Sequence, residues 1–195
     1  MSAPTRQPGR DGAIEALIDA ARELFAERGP SAVSLRDVAR RAGVNHGLIH
    51  HYIGSRDDLL RLVFTTSMDH ARAEVEGAPD STSGLGALRR LGAGSDEYTR
   101  LLAWALLERR DPAEFHGRSS ALDAIVAAND DDSRELRVAL AMAMVQTLGW
   151  KLFGPYVLAA AGFDASDEAG VRGEVESLVD GVVTEAAAVR KRARR

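Results

Sequence analysis

The 195-residue chain contains no cysteine. That excludes disulfide staples, thiolate metal sites and cysteine nucleophiles together, and it leaves no thiol for a redox switch. Lysine is almost as scarce. Only Lys151 and Lys191 occur among the 25 basic residues, and with 33 alanines this arginine preference reads as GC-rich codon usage rather than adaptation. Long hydrophobic runs are missing as well. Leu152–Phe163 is uncharged for 12 residues but contains Gly154 and Pro155, and it is too short to cross a bilayer. The opening MSAPTRQPGRDG is polar and has no apolar core, unlike a secretory signal. A cytoplasmic protein without a membrane partner is expected. Catalytic signatures are absent too: there is no G-x-S-x-G, no glycine-rich phosphate loop, no H-E-x-x-H and no ordered acid pair. No enzymatic activity and no cofactor are expected.

What is present is a chain 45% hydrophobic and 28% charged, enough for one compact domain or two small ones. The net charge of −4 argues against a nucleic-acid partner only while it is taken as an average. Residues 1–62 carry nine arginines against eight acidic groups, together with His46, His50 and His51, whereas residues 63–195 carry sixteen basic against twenty-one acidic groups. A mildly basic head on an acidic body suggests two tasks on one chain.

Hydrophobic spacing is helical nearly throughout, and no convincing strand alternation appears. Residues 1–10 read as a disordered arm. Ile14, Leu17, Ile18, Ala21, Leu24 and Phe25 form one apolar stripe on a first helix of about residues 12–28, ended by Gly29-Pro30. Ser34 stands as a helix cap with Asp37 three residues on, and short helices follow at about 35–42 and 45–52, separated by Gly43. Ser55 caps a long helix of residues 56–76. Residues 77–95 hold five glycines and read as a loose connection around one short helix. Further helices are expected at 96–110, 118–128, 133–153 and 167–189. Gly154-Pro155 is expected to kink or end the penultimate helix, leaving a short apolar piece at 156–161.

Residues 33–52 have the spacing of a helix-turn-helix. Leu35, Val38, Val44 and Ile49 supply its packing face, Ala39 allows close approach, and Gly43 sits at the turn. Asn45, His46, Leu48, His50 and His51 make a polar outer face sized for a major groove. By spacing alone, two short helices around a glycine also suit an ordinary helical core. His46 and His50 are one turn apart, but no acidic or cysteine ligand accompanies them, so no metal site is assigned.

The stretch 14–60 carries Ala21-x-x-Leu24-Phe25-Ala26-x-x-Gly29, then Ser34-Leu35-Arg36-Asp37-Val38-Ala39-x-x-Ala42-Gly43-Val44, then His51 and Ser55-Arg56-Asp57-x-Leu59-Leu60. This pattern resembles the TetR family of bacterial transcriptional regulators. His50, Ile53 and Arg56 stand where that family usually has Tyr, Phe and Lys. The resemblance implies that Ser34 contacts phosphate through its hydroxyl and nearby backbone N–H groups, and that His50, His51 and Arg56 clamp phosphates. It places Asn45, His46, Gly47 and Leu48 at the base-facing start of the recognition helix. Arg36 adds local positive charge, with Arg40 and Arg41 beside it.

An all-α architecture is therefore expected: an N-terminal three-helix helix-turn-helix DNA-binding domain followed by a larger helical ligand-binding and dimerisation domain. The expected segments are an arm at 1–10, a DNA-binding domain at 11–56, an effector-binding and dimerisation domain at 57–190 with 56–76 as linking helix, and a basic tail at 191–195. The terminal RKRARR either touches DNA or is a solvated tail, the tail being favoured, and His116 and Arg118 read as solvated in a loop. Helices 133–153 and 167–189 are expected to pair with their symmetry mates as a four-helix homodimer interface. Tyr98, Leu101, Leu102, Trp104, Ala105, Met142, Gln146, Trp150 and Phe153 mix aromatic, flexible and scarce polar groups and are the candidates for contacting a small effector. The expected function is a ligand-responsive regulator that binds a palindromic double-stranded operator as a homodimer. A repressor released by a largely apolar effector is favoured over an activator.

Overall fold

The computed structural model describes residues 9–76, 78, 80–94, 96–111, 119–129 and 132–193. Among them are nine α-helices and no strand: α1 (Arg10–Arg28), α2 (Leu35–Ala42), α3 (His46–Tyr52), α4 (Arg56–Val75), α5 (Ser81–Gly94), α6 (Glu97–Leu107), α7 (Ser120–Ala128), α8 (Arg134–Ala160) and α9 (Glu168–Ala193). Most of the expected arm, the loop bearing His116 and Arg118, and the side chains of RKRARR lie outside the described residues. Arg10 already belongs to α1, so that helix starts earlier than expected, and the backbone of α9 continues to Ala193.

The chain divides into two compact units. One comprises residues 1–67 and 100–117, the other residues 68–99 and 118–195. The division cuts α4 after Ser67 and α6 before Arg100, so sequence order and compact unit do not coincide.

In the first unit α1, α2 and α3 pack on one another. Leu17, Ile18, Ala21, Leu24 and Phe25 of α1 are buried, as are Val38, Ala39 and Ile49 of the two short helices. Leu59, Leu60, Val63 and Phe64 of α4 and Leu101 and Ala105 of α6 are buried too. Leu35 and Val44 are only half-buried. Two Ser-x-x-Asp capping devices set the helix starts. Ser34 Oγ accepts from the Asp37 N–H and donates to Asp37 Oδ2 at 2.6 Å. Ser55 and Asp58 repeat this arrangement at the start of α4, again with a 2.6 Å hydroxyl–carboxylate bond. Gly43 adopts φ 67°, a left-handed conformation that ends α2 and that a side chain would strain.

The second unit is built on α5, α7, α8 and α9. Its core joins Leu85, Ile125, Leu136, Leu140, Val179 and Val183 with small alanines between them. The segment 77–95, expected as a loose connection around one short helix, contains the 14-residue helix α5. Gly84 serves packing: a Cβ there would lie 2.8 Å from Ile125 Cγ1, so glycine lets α5 approach α7. Gly154-Pro155, expected to kink or end the helix, does not end α8, which runs for 27 residues to Ala160. Proline forfeits one backbone donor, but its φ remains helical. Gly154 is covered by the Trp150 indole, which a Cβ would meet at 3.1 Å.

The uncharged stretches on either side of Lys151 therefore fuse into one helix that is long and apolar enough to cross a membrane, by length and composition. Only 22% of its most apolar window is buried. Leu136, Ala139, Leu140, Ala143 and Leu158 face the core, while Val138, Met142, Val145, Phe153, Tyr156 and Val157 are exposed.

Candidate nucleic-acid interface

Each expected DNA-contacting side chain lies in the first unit, and local hydrogen bonding already occupies several of them. Asn45 is the cap of α3 rather than its first residue. Its side-chain oxygen accepts from the Gly47 N–H at 2.9 Å. Bidentate pairing with adenine uses both the oxygen and the NH₂ of an asparagine. Base reading by Asn45 therefore exchanges the cap bond for the base contact. Ser34 likewise gives its hydroxyl hydrogen to Asp37. These bonds hold the Asp37 carboxyl below the ordinary value of 3.8. A phosphate oxygen has to compete with that carboxylate for the Ser34 hydroxyl, so backbone N–H groups at the start of α2 are the better donors.

His46, Gly47, His50 and His51 are exposed on α3, and Leu48 is half-buried. The His46 and His50 rings meet edge-on at 5.7 Å. His50 Nδ1 lies 3.1 Å from the Gly54 carbonyl oxygen. A carbonyl only accepts, so this bond requires the hydrogen on Nδ1. The Nε2 of the neutral ring then carries a lone pair, and only the protonated ring donates there to a phosphate. Arg10 stands over the Tyr52 ring at 5.9 Å and ties the start of α1 to the end of α3.

The basic residues divide into two groups. Arg40 pairs with Asp37 at 2.6 Å, and Arg41 pairs with Glu23 of α1 at 2.7 Å. Much of their charge is spent inside the unit. Arg36 is exposed and forms no ion pair with any described residue. Arg56, first residue of α4, donates to the Ser31 carbonyl at 3.1 Å and keeps its other N–H groups for a further acceptor.

This arrangement of capped α2, left-handed turn and exposed α3 on α1 is matched in known proteins. The signature of bacterial regulatory proteins of the tetR family covers residues 17–63. An HTH-type transcriptional repressor of Mycobacterium tuberculosis is 35% identical over 160 residues, spanning 80% of this chain and 81% of that one. The chain belongs to the TetR family. It is a transcriptional regulator with a helix-turn-helix DNA-binding unit, and its relatives are named as regulators rather than enzymes. The fold agrees over most of the length. A TetR-family regulator from Streptomyces coelicolor superposes with a TM-score of 0.62 at 19% identity, covering 93% of this chain and 84% of that one. A TetR-family regulator from Marinobacter aquaeolei gives 0.62 at 17% identity, covering 90% and 95%.

The residues expected to contact an effector are distributed between the two units. Leu101 and Ala105 lie in the interior of the first, where Trp104 packs over Gly29. Tyr98 belongs to the second. Burial pushes its phenol up to about 12, and its hydroxyl contacts Met68 Sδ at 3.9 Å. Met142, Gln146, Trp150 and Phe153 follow one another along α8. The last three line an open depression of about 220 Å³ together with Val145 and Val157. The Trp150 indole nitrogen is buried and has no hydrogen-bond partner among the described residues.

Sequence reasoning missed Ser31, Glu108 and Arg110. Glu108 Oε1 accepts from the Ser31 N–H at 3.0 Å, and Arg110 bonds Asp57 at 2.9 Å. These partners are far apart in the chain, and no motif connects them.

Proposed function

We propose that this regulator is a repressor that binds a palindromic operator as a homodimer and releases it when a small, largely apolar effector binds. The observation that carries the DNA half is the outward face of α3, where His46, Gly47, His50 and His51 are exposed beside a free Arg36 and a donor-rich Arg56. Asn45, His46, Gly47 and Leu48 take the base-reading role. Ser34, Arg36, His50, His51 and Arg56 take phosphates. Twofold symmetry then puts two copies of α3 about 34–36 Å apart, one turn of DNA.

The dimer half is supported by the unpartnered apolar faces of α8 and α9, including Val145, Phe153, Tyr156, Leu178 and Val182. An apolar effector suits the hydrophobic lining about Gln146, Trp150 and Phe153. Effector and operator would oppose each other because each prefers a different form of the dimer, and that coupling is reciprocal. The protein acts in the cytoplasm, where its DNA lies.

Selection from random duplex DNA supplies the operator, and binding by three variants then tests the assignment. Asn45→Ala and His46→Ala should relax discrimination between operator and scrambled DNA by about 1–3 kcal/mol each. Arg56→Ala should weaken both duplexes alike and lower the salt slope by about 0.9. Equal losses on both duplexes for all three variants would refute this division of labour.

A further inference from the structure

Within the first unit, the end of α6 is bonded into the turn that follows α1. Glu108 Oε1 accepts the Ser31 N–H at 3.0 Å. Trp104 lies so close over Gly29 that a Cβ there would touch its ring at 3.1 Å, and Gly29 at φ 80° needs glycine in any case. Arg110 lies against Glu108 as an ion pair without a hydrogen bond, its Nε 3.5 Å from Oε2, and its Nη1 bonds Asp57 in the first turn of α4 at 2.9 Å. Both side chains are mostly buried, at 19% and 18% exposure. The chain enters this arrangement through Arg109 at φ 59°, a strained conformation for a residue with a side chain.

The same Ser31 whose N–H is held by Glu108 offers its carbonyl to Arg56 Nη1 at 3.1 Å. Glu108 thus bonds one side of the Ser31 backbone, and Arg56 bonds the other.

We propose that Glu108, seated by Arg110, is a positioning residue for DNA binding, because it fixes the 29–31 turn on which the Arg56 guanidinium is mounted. The inference rests on reading Arg56 as a phosphate contact. Free of the turn, the long Arg56 side chain samples many rotamers and meets the phosphate less often. The expected sign is diagnostic. Removing an acidic side chain near DNA should tighten binding on charge grounds alone. A loss on removing Glu108 therefore points to geometry.

The test needs no operator, since phosphate contacts are independent of sequence. Affinity for a short duplex of arbitrary sequence is measured at low salt in the full-length protein, alongside amide exchange at Ser31. Arg56→Ala should lose about tenfold. Glu108→Ala should lose about fivefold and expose the Ser31 amide to exchange. Glu108→Gln keeps the acceptor oxygen for Ser31 but gives up the ion pair with Arg110, so it should bind more tightly than Glu108→Ala. Arg110→Gln, which unseats Glu108 while leaving it in the chain, should lose affinity in the same direction and serves if Glu108→Ala does not fold. Adding Glu108→Ala to Arg56→Ala should cost nothing further. A full additional loss in that double variant overturns the proposal, and so does wild-type affinity in Glu108→Ala with Ser31 exchanging freely. An unchanged affinity in Arg56→Ala overturns the phosphate reading itself, and with it the proposal.

Discussion

Replacing Leu178 of α9 by glutamate is the sharpest test of the proposed homodimer. Leu178 is 71% exposed in the isolated chain. Glutamate is nearly as good a helix former as leucine, so the folding of one chain should change by no more than about 0.5 kcal/mol. In a twofold interface the residue is buried against a second copy. Burying a leucine side chain is worth about 1.5–3 kcal/mol, and the symmetric interface contains it twice. The substitution should therefore cost about 3–6 kcal/mol of association, which raises the dimer Kd by at least about a hundredfold. The charge left among apolar neighbours adds to this. Val145 of α8, 72% exposed, gives an independent site on the other helix. Sedimentation equilibrium reads the mass, and far-ultraviolet circular dichroism confirms that the helices remain. The expected outcome is a helical monomer that has lost operator affinity. A Leu178→Glu, Val145→Glu double variant that still sediments as a dimer would refute the interface, as would a wild-type chain that is monomeric at micromolar concentrations.

Two further expectations concern the folded chain itself. Gly84→Ala drives a methyl against buried Ile125 at 2.8 Å, an overpacking cost of about 1–3 kcal/mol that exceeds the roughly 1 kcal/mol gained in helix propensity. Thermal unfolding should show a net loss of about 1 kcal/mol, and a rise in Tm would show that α5 and α7 separate without penalty. Acid unfolding should report the two capping boxes. Asp37 and Asp58 are each held below 3.8 by their serine partners, so their stabilising contribution is present above that value and is lost as the pH falls beneath it. Asp37→Asn and Asp58→Asn should each make the acid limb of the unfolding curve less steep, and an unchanged limb in both would remove these carboxyls from the account.

The chain itself determined the features that close within a turn or two of helix. Ser34 and Ser55 find Asp37 and Asp58 three residues away, Gly43 supplies the only backbone easily bent left-handed at that point, and the α1 stripe of Leu17, Ala21, Leu24 and Phe25 presents one face whatever covers it. Those interactions depend on local geometry, so the all-α class and the helix-turn-helix spacing were legible from the residues, and the quoted motifs between residues 14 and 60 carried the resemblance to the family.

Tertiary structure decided what depends on which surfaces meet. Ser31 and Glu108 stand 77 residues apart, and nothing local to either predicts their bond. Only the packing of α5 on α7 shows that Gly84 leaves room for Ile125, and only the fold shows that the helix continues past Pro155 to Ala160. The positive charge of the head was redistributed in the same way. Arg40 and Arg41 resemble Arg36 and Arg56 in sequence, yet neighbouring carboxylates hold the first pair while the second pair can still reach a phosphate. Charge and propensity belong to residues, whereas their availability depends on what packing leaves uncovered.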